Sequence, residues 1–136
     1  MTDVAALIPH AAAMCLLRGV VRWDAGEVVC DAVSHLSPGN PLRARGRLSA
    51  ACGAEYGMQA AALHGALLDG ARPPAGRVAS LRDVVFHVER LDDAAYPVLI
   101  VTARLLHREA GGLLYAFDVA GAGRCLMEGR GAVSIS

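Results

Sequence analysis

The chain has 136 residues, and its 13 basic and 13 acidic side chains leave a formal net charge of zero. That length suits a single domain (1–136) burying roughly two-thirds of its unfolded surface. The even charge excludes bulk electrostatic attraction to nucleic acid or to an anionic membrane.

No run of about 20 apolar residues is free of charges, so no membrane span is expected. The N-terminus, MTDVAALIPH, has neither a basic leader nor a long apolar stretch, which argues against a signal peptide and for a cytoplasmic location. Cys15, Cys30, Cys52 and Cys125 are scattered, with no CxxC pair and no metal-ligand spacing. They read as reduced thiols, mostly small core residues.

Asp3 to Pro9 reads as a short helical or irregular lead-in. Cys15 to Val21 and Glu27 to Ser34 are β-like runs, separated by Trp23-Asp24-Ala25-Gly26, which has hairpin-turn composition. A Pro/Gly/Asn/Arg loop, Ser37 to Arg47, leads into a long helix from Leu48 to Leu68 that stops towards Asp69-Gly70. Pro73-Pro74 and Gly76 read as a linker. Four β-like runs follow: Val78 to Val88, Val98 to His107, Leu113 to Ala120 and Arg124 to Ile135. Asp92-Asp93, Gly111-Gly112 and Gly121 to Gly123 mark the turns between them. The fold class is α+β, an antiparallel sheet wrapped round one central helix. The later strands carry apolar residues on both faces (Leu99, Ile100, Val101; Leu113, Leu114), so the face away from the helix is expected to meet a partner subunit.

The helix LSAACGAEYGMQAAALHGALL is apolar nearly all round, the pattern of a helix buried inside a domain. Gly53 and Gly57 lower its intrinsic propensity but allow close approach to the sheet. One carboxylate, Glu55, stands in these surroundings, where an ionised group is costly unless paired or working. The residues alone leave two roles open for it: chemistry, or an ion pair with Arg43, Arg45 or Arg47.

Several segments, in this order, resemble the hotdog-fold 3-hydroxyacyl-acyl-carrier-protein dehydratases. Leu7-Ile8-Pro9-His10 followed by Met14-Cys15-Leu16-Leu17 is similar to their N-terminal segment and first strand. Pro38-Gly39-Asn40-Pro41 looks like the loop before their central helix. Glu55-Tyr56-Gly57-Met58-Gln59 looks like their helix motif, in which an acid is followed four residues later by Gln. Arg82 to His87 looks like the strand beside the acyl tunnel. The stretch SHLSPGNPLRARGRLSAACGAEY resembles most the small dehydratases of aryl-polyene-type clusters. Three points depart from the pattern. Leu36-Ser37 separates His35 from the Pro-Gly loop, the stretch from Pro41 to Glu55 is longer than usual, and Arg18 stands where an acidic residue is usual.

The resemblance implies dehydration of a 3-hydroxyacyl thioester to the trans-2-enoyl product in fatty-acid-like or polyene synthesis. Imidazole suits removal of the carbon-bound proton, and a carboxylic acid raised in pKa by burial suits protonation of the leaving hydroxyl. His35 is then the base and Glu55 the acid, contributed by opposite subunits of a homodimer. Gln59 and the Gly53 N–H support them, the latter as an oxyanion donor helped by the helix dipole. His10 competes with His35, and Cys52 lines the pocket without acting as a nucleophile.

His64 lies about 180° round the helix from Glu55 and reads as structural, while His87 and His107 read as surface or tunnel-wall residues. Arg43, Arg45 and Arg47, with Arg82 and Arg90, are expected to steer an acidic acyl carrier protein. The chemistry requires no metal, nucleotide or flavin, and no matching motif is present. Two rivals stand beside this reading. One is a hotdog acyl thioesterase using Glu55 alone. The other is a non-catalytic hotdog subunit that binds acyl chains or a ketosynthase or dehydratase partner.

Overall fold

The computed structural model describes residues 15–69 and 76–135. Among the described residues the strands are β1 (Gly19–Trp23), β2 (Glu27–Ala32), β3 (Gly76–Phe86), β4 (Leu99–Glu109), β5 (Gly112–Gly121) and β6 (Arg124–Ile135), and there is one α-helix, α1 (Gly53–Asp69). Short 3-10 turns at Ser34–Leu36 and Ala50–Cys52 frame the loop that enters the helix. The lead-in and the Pro73-Pro74 linker expected from the sequence lie outside the described residues. The first β-like run begins later than expected, since Cys15 to Arg18 is not strand.

The strands form one antiparallel sheet of six in the order β1-β2-β4-β5-β6-β3. Alternation along each strand decides which face is apolar. Leu99, Val101 and Ala103 of β4 and Tyr115, Phe117 and Val119 of β5 point inward and are buried. Against them lies α1, through Tyr56, Met58, Ala60, Ala61, Leu63 and Ala66. Each large side chain so enclosed contributes about 1.5–3 kcal/mol.

The helix comes close because it lacks side chains where the sheet is thickest. A Cβ on Gly57 would lie 2.2 Å from Cδ1 of Phe117, and one on Gly53 would lie 2.6 Å from Cγ of Met127. The helix is enclosed on this side only. Ala51 is exposed, and Ala54, Glu55, Ala62 and Gly65 are half-buried, so the face bearing Glu55 is partly open in a single chain.

The outer face of the sheet differs from expectation. Instead of an apolar surface it carries a charged lattice: Arg104 with Glu27 and Asp118, Arg18 with Asp31, and Arg22 with Glu27. Apolar side chains stand among these charges, with Ile100 and Leu106 of β4 at 37% and 45% exposed. Large apolar side chains are also exposed at the β3 edge. There the backbone pairs on one side only, and Leu81, Val85 and Phe86 are 46%, 47% and 50% exposed.

The lengthened loop before α1 is folded, not slack. Ala44 and Arg47 exchange both backbone hydrogen bonds, at 2.9 and 3.1 Å. Arg45 and Gly46 between them have φ of 56° and 75°, the signature of a two-residue hairpin turn.

Candidate active site

His35 sits on the 3-10 turn after β2 and is fully buried. Its Nε2 lies 2.5 Å from the carbonyl oxygen of Tyr96. A carbonyl only accepts, so Nε2 carries the proton and the neutral ring keeps its lone pair on Nδ1. Nδ1 has no hydrogen-bond partner among the described residues. Burial pushes the His35 pKa below the usual 6.5, against the opposing pull of the Tyr96 bond and the nearby Asp92 charge. A neutral imidazole of fixed tautomer with an unengaged basic nitrogen is the state a general base requires.

A buried network fixes the turn to the helix. The Ser34 hydroxyl donates to the Leu16 carbonyl at 2.7 Å and lies 2.8 Å from the Tyr56 hydroxyl. With its one proton so used, Ser34 accepts from Tyr56. Asn40 Nδ2 reaches both the Tyr56 hydroxyl (3.1 Å) and the Ser34 carbonyl (3.0 Å). Gln59 Oε1 accepts from the Leu16 N–H at 2.9 Å. The backbone of Leu16 is thereby held at both its N–H and its C=O. In this network Ser34 immediately precedes His35 and Tyr56 immediately follows Glu55, so both candidate groups are anchored by adjacent positions.

Glu55 stands in the first turn of α1. Among the described residues it has no hydrogen bond or ion pair, so the expected alternative of an Arg partner is not realised. Gln59 supports the backbone of Leu16 and is not hydrogen-bonded to Glu55. Cys52 directs its thiol to the Leu42 carbonyl at 3.7 Å, and burial raises its pKa, which keeps it from acting as a nucleophile.

The expectation for Gly53 needs correction. Its N–H is taken by the carbonyls of Ala50 and Ala51, because the 3-10 turn runs straight into α1 and consumes the donor. The role visible for Gly53 is to admit Met127. The preceding amides are also engaged, Ala51 by Ser49 Oγ and Cys52 by the Ser49 carbonyl.

Arg43 also departs from expectation. Its guanidinium binds the Ser37 and Gly46 carbonyls and pairs with Asp92 at 3.2 Å. It is a brace within the fold and not an open docking charge. Arg90 grips the same carboxylate with two bonds, at 2.9 and 2.8 Å. The Arg90 clamp is the leading cause holding Asp92 down to a pKa of about 2. Arg45, Arg47 and Arg82 are exposed.

His35 and Glu55 thus face no common hydrogen bond within one chain. His10 lies outside the described residues. His64 is structural, held by the Tyr115 hydroxyl at 2.7 Å and the Asp24 carbonyl at 2.8 Å. Sequence reasoning missed Tyr96, Asp92, Ser34, Asn40 and Tyr56. Ser34 and Asn40 flank the expected catalytic loop and could have been noted as polar residues beside an apolar strand. Nothing local connects Tyr96 or Asp92 to His35.

One helix wrapped by a six-stranded antiparallel sheet, with a histidine-bearing turn leading to an acid in the helix's first turn, defines the hotdog fold. A profile of the ApeP-like family, described as ApeP dehydratase, matches residues 2–134. The chain belongs to the ApeP-like dehydratase family and is a dehydratase. No curated protein sequence matches it.

Among solved structures it is similar to the dehydratase heterocomplex ApeI:P from Xenorhabdus doucetiae, with TM-score 0.87, 20% identity, and coverage of 100% of this chain and 92% of that one. It is also similar to a hypothetical thioesterase with coenzyme A from Streptococcus pneumoniae TIGR4 (TM-score 0.64, 16% identity, 86% and 84% covered). The E. coli PaaI protein from the phenylacetic acid degradation operon shares the fold too (TM-score 0.65, 13% identity, 85% and 81% covered). At these identities the structural likeness establishes the fold.

Proposed function

We propose that the protein removes water from 3-hydroxyacyl chains carried as thioesters on an acyl carrier protein, giving trans-2-enoyl products for polyene assembly in the cytoplasm. His35 Nδ1 takes the proton from the carbon next to the thioester. Glu55 gives a proton to the departing hydroxyl. The observation that carries this reading is the state of His35: Nε2–H fixed on Tyr96, Nδ1 basic and unengaged. A thioesterase using Glu55 on water would have no use for that arrangement.

Within one chain the two groups are not joined, and the helix face at Glu55 is partly open. That supports a site completed between subunits, with His35 of one facing Glu55 of another. The exposed apolar β3 edge supports pairing through that strand. The likeness to a chain of the ApeI:P heterocomplex supports a second hotdog subunit as an alternative to a second copy. Arg45, Arg47 and Arg82 remain exposed for an acidic carrier protein.

The deciding experiment is mass spectrometry of a 3-hydroxyacyl-carrier-protein incubated with wild type, Glu55→Gln and His35→Ala, each alone and with a candidate hotdog partner. Loss of one water with wild type, slowed about 10²- to 10⁴-fold in either variant, is expected. Loss of the whole acyl group would identify a thioesterase. Full activity in His35→Ala would remove His35 as the base.

A further inference from the structure

The outer face of the sheet, opposite α1, holds a group of side chains the dehydration chemistry does not use. His87 follows β3, while Cys125 and Glu128 lie on β6. His87 Nε2 is 3.0 Å from Glu128 Oε2, and Cys125 Sγ is 3.5 Å from the same oxygen. One ligand atom from each of the three lies within 4.8 Å of the others.

The grouping is produced by a feature of the backbone. In a regular strand, residues three apart point to opposite faces. Here Val119 pairs with Met127 but Ala120 pairs with Cys125, so β6 carries one extra residue, Leu126. That bulge reverses the alternation. Leu126 and Met127 are both fully buried, and Cys125 and Glu128 emerge together on the outer face. His87 is fixed beside them. Its N–H donates to the Leu126 carbonyl at 2.9 Å, and its own carbonyl accepts from Arg124 at 3.1 Å.

We propose that His87, Cys125 and Glu128 form a binding site for a zinc-class divalent cation. Around a tetrahedral Zn²⁺, bonds of about 2.0–2.1 Å to nitrogen and oxygen and about 2.3 Å to sulfur set ligand atoms about 3.3–3.6 Å apart. The His–Glu and Cys–Glu separations already approach that spacing. One imidazole, one thiolate and one carboxylate suit zinc or cobalt and not magnesium or calcium, which prefer oxygen alone.

Binding breaks the Cys125 S–H bond, forms the sulfur–metal bond and releases the proton to solvent. The fourth position opens onto a groove of about 590 Å³ that Cys125 and Glu128 line together with Asp83, Arg104, Asp118 and Arg130. The two arginines there are already matched, Arg104 with Asp118 and Arg130 with Asp83, and so oppose a cation less than free charges would. The metal would clip the end of the edge strand β3 to β6.

The test is titration of the intact metal-free protein with Co²⁺, followed by its displacement with Zn²⁺. Expected are one Co²⁺ per chain, a sulfur-to-cobalt charge-transfer band and the strong visible bands of tetrahedral cobalt. Cys125→Ser removes the charge-transfer band, whereas Cys15→Ser keeps it. His87→Ala and Glu128→Gln weaken affinity by more than the roughly 10- to 100-fold that loss of an outer-shell partner costs. Circular dichroism establishes that each variant is folded. A charge-transfer band surviving in Cys125→Ser, or affinity indifferent to all three substitutions, overturns the proposal.

Discussion

Arg43 holds the carboxylate of Asp92 at 3.2 Å, and that side chain is only 1% exposed. The pair joins the loop before α1 to the loop between β3 and β4, which also carries Tyr96, the partner of His35. Arg90 clamps the carboxylate from the solvent side. Asp92→Asn removes the charge and leaves Arg43 facing a neutral amide. The expected loss is about 1–3 kcal/mol, discounted because Arg90 faces water. Denaturant unfolding measures it, and an unchanged midpoint would deny the clamp any weight.

The same carboxylate predicts an acid limb in stability. Its folded pKa, about 2, lies below the usual 3.8. The contribution is therefore complete above about pH 3.8 and lost as pH falls towards 2. Wild type should lose stability through that window more steeply than Asp92→Asn. Parallel slopes in the two proteins would refute the assignment.

His35 sets a second pH dependence, in activity. Its pKa is lowered from 6.5 by burial, and in the proposed role of base it works only when neutral. The acid limb of kcat/KM should therefore fall below pH 6.5, not above it. Moving the limb upward would require His35 to be charged and well solvated, contrary to the structure.

Gly57→Ala should destabilise although Ala is the better helix former by about 1 kcal/mol. The added methyl would sit 2.2 Å from Phe117, and forcing such contacts into a packed core costs typically 1–3 kcal/mol and occasionally more. Adding Phe117→Leu should recover part of the loss. Equal losses in the single and double variants would place the strain elsewhere.

Val85→Arg with Phe86→Asp should convert the proposed assembly to single chains, read as solution mass by light scattering, and abolish turnover while the fold survives. These residues are 47% and 50% exposed on the edge strand. An unchanged mass would move the subunit contact away from β3.

The elements were legible because their signals are local. Apolar runs bounded by Asp and Gly turns marked β4 to β6, with Arg124 to Ile135 matching the last strand throughout, and the Ala/Gly-rich run marked the helix. Glu55 was legible as a lone acid in that run. The rest depended on contacts distant in sequence. His35 meets Tyr96 across 61 positions and Leu16 meets Gln59 across 43, and no spacing rule announces either. The Gly53 N–H is not free as an oxyanion donor, because a 3-10 turn, unmarked in sequence, runs into the helix and uses it. The Arg43 to Arg47 group read as one basic patch, yet it divides: Arg43 turns inward to Asp92, while Arg45 and Arg47 remain at the surface.

The hairpin at Ala44 to Arg47 has a consequence for how such a protein can diverge. Both ends of the loop are tethered: Asn40 is tied to Ser34 and Tyr56, and the Leu48 carbonyl accepts from the Leu91 N–H at 2.9 Å. Residues added or removed at the tip are absorbed between those tethers, without displacing His35 or Glu55. The tip behaves like an interchangeable tool head on a fixed handle, so the surface shown to other proteins can be rewritten while the reaction stays the same.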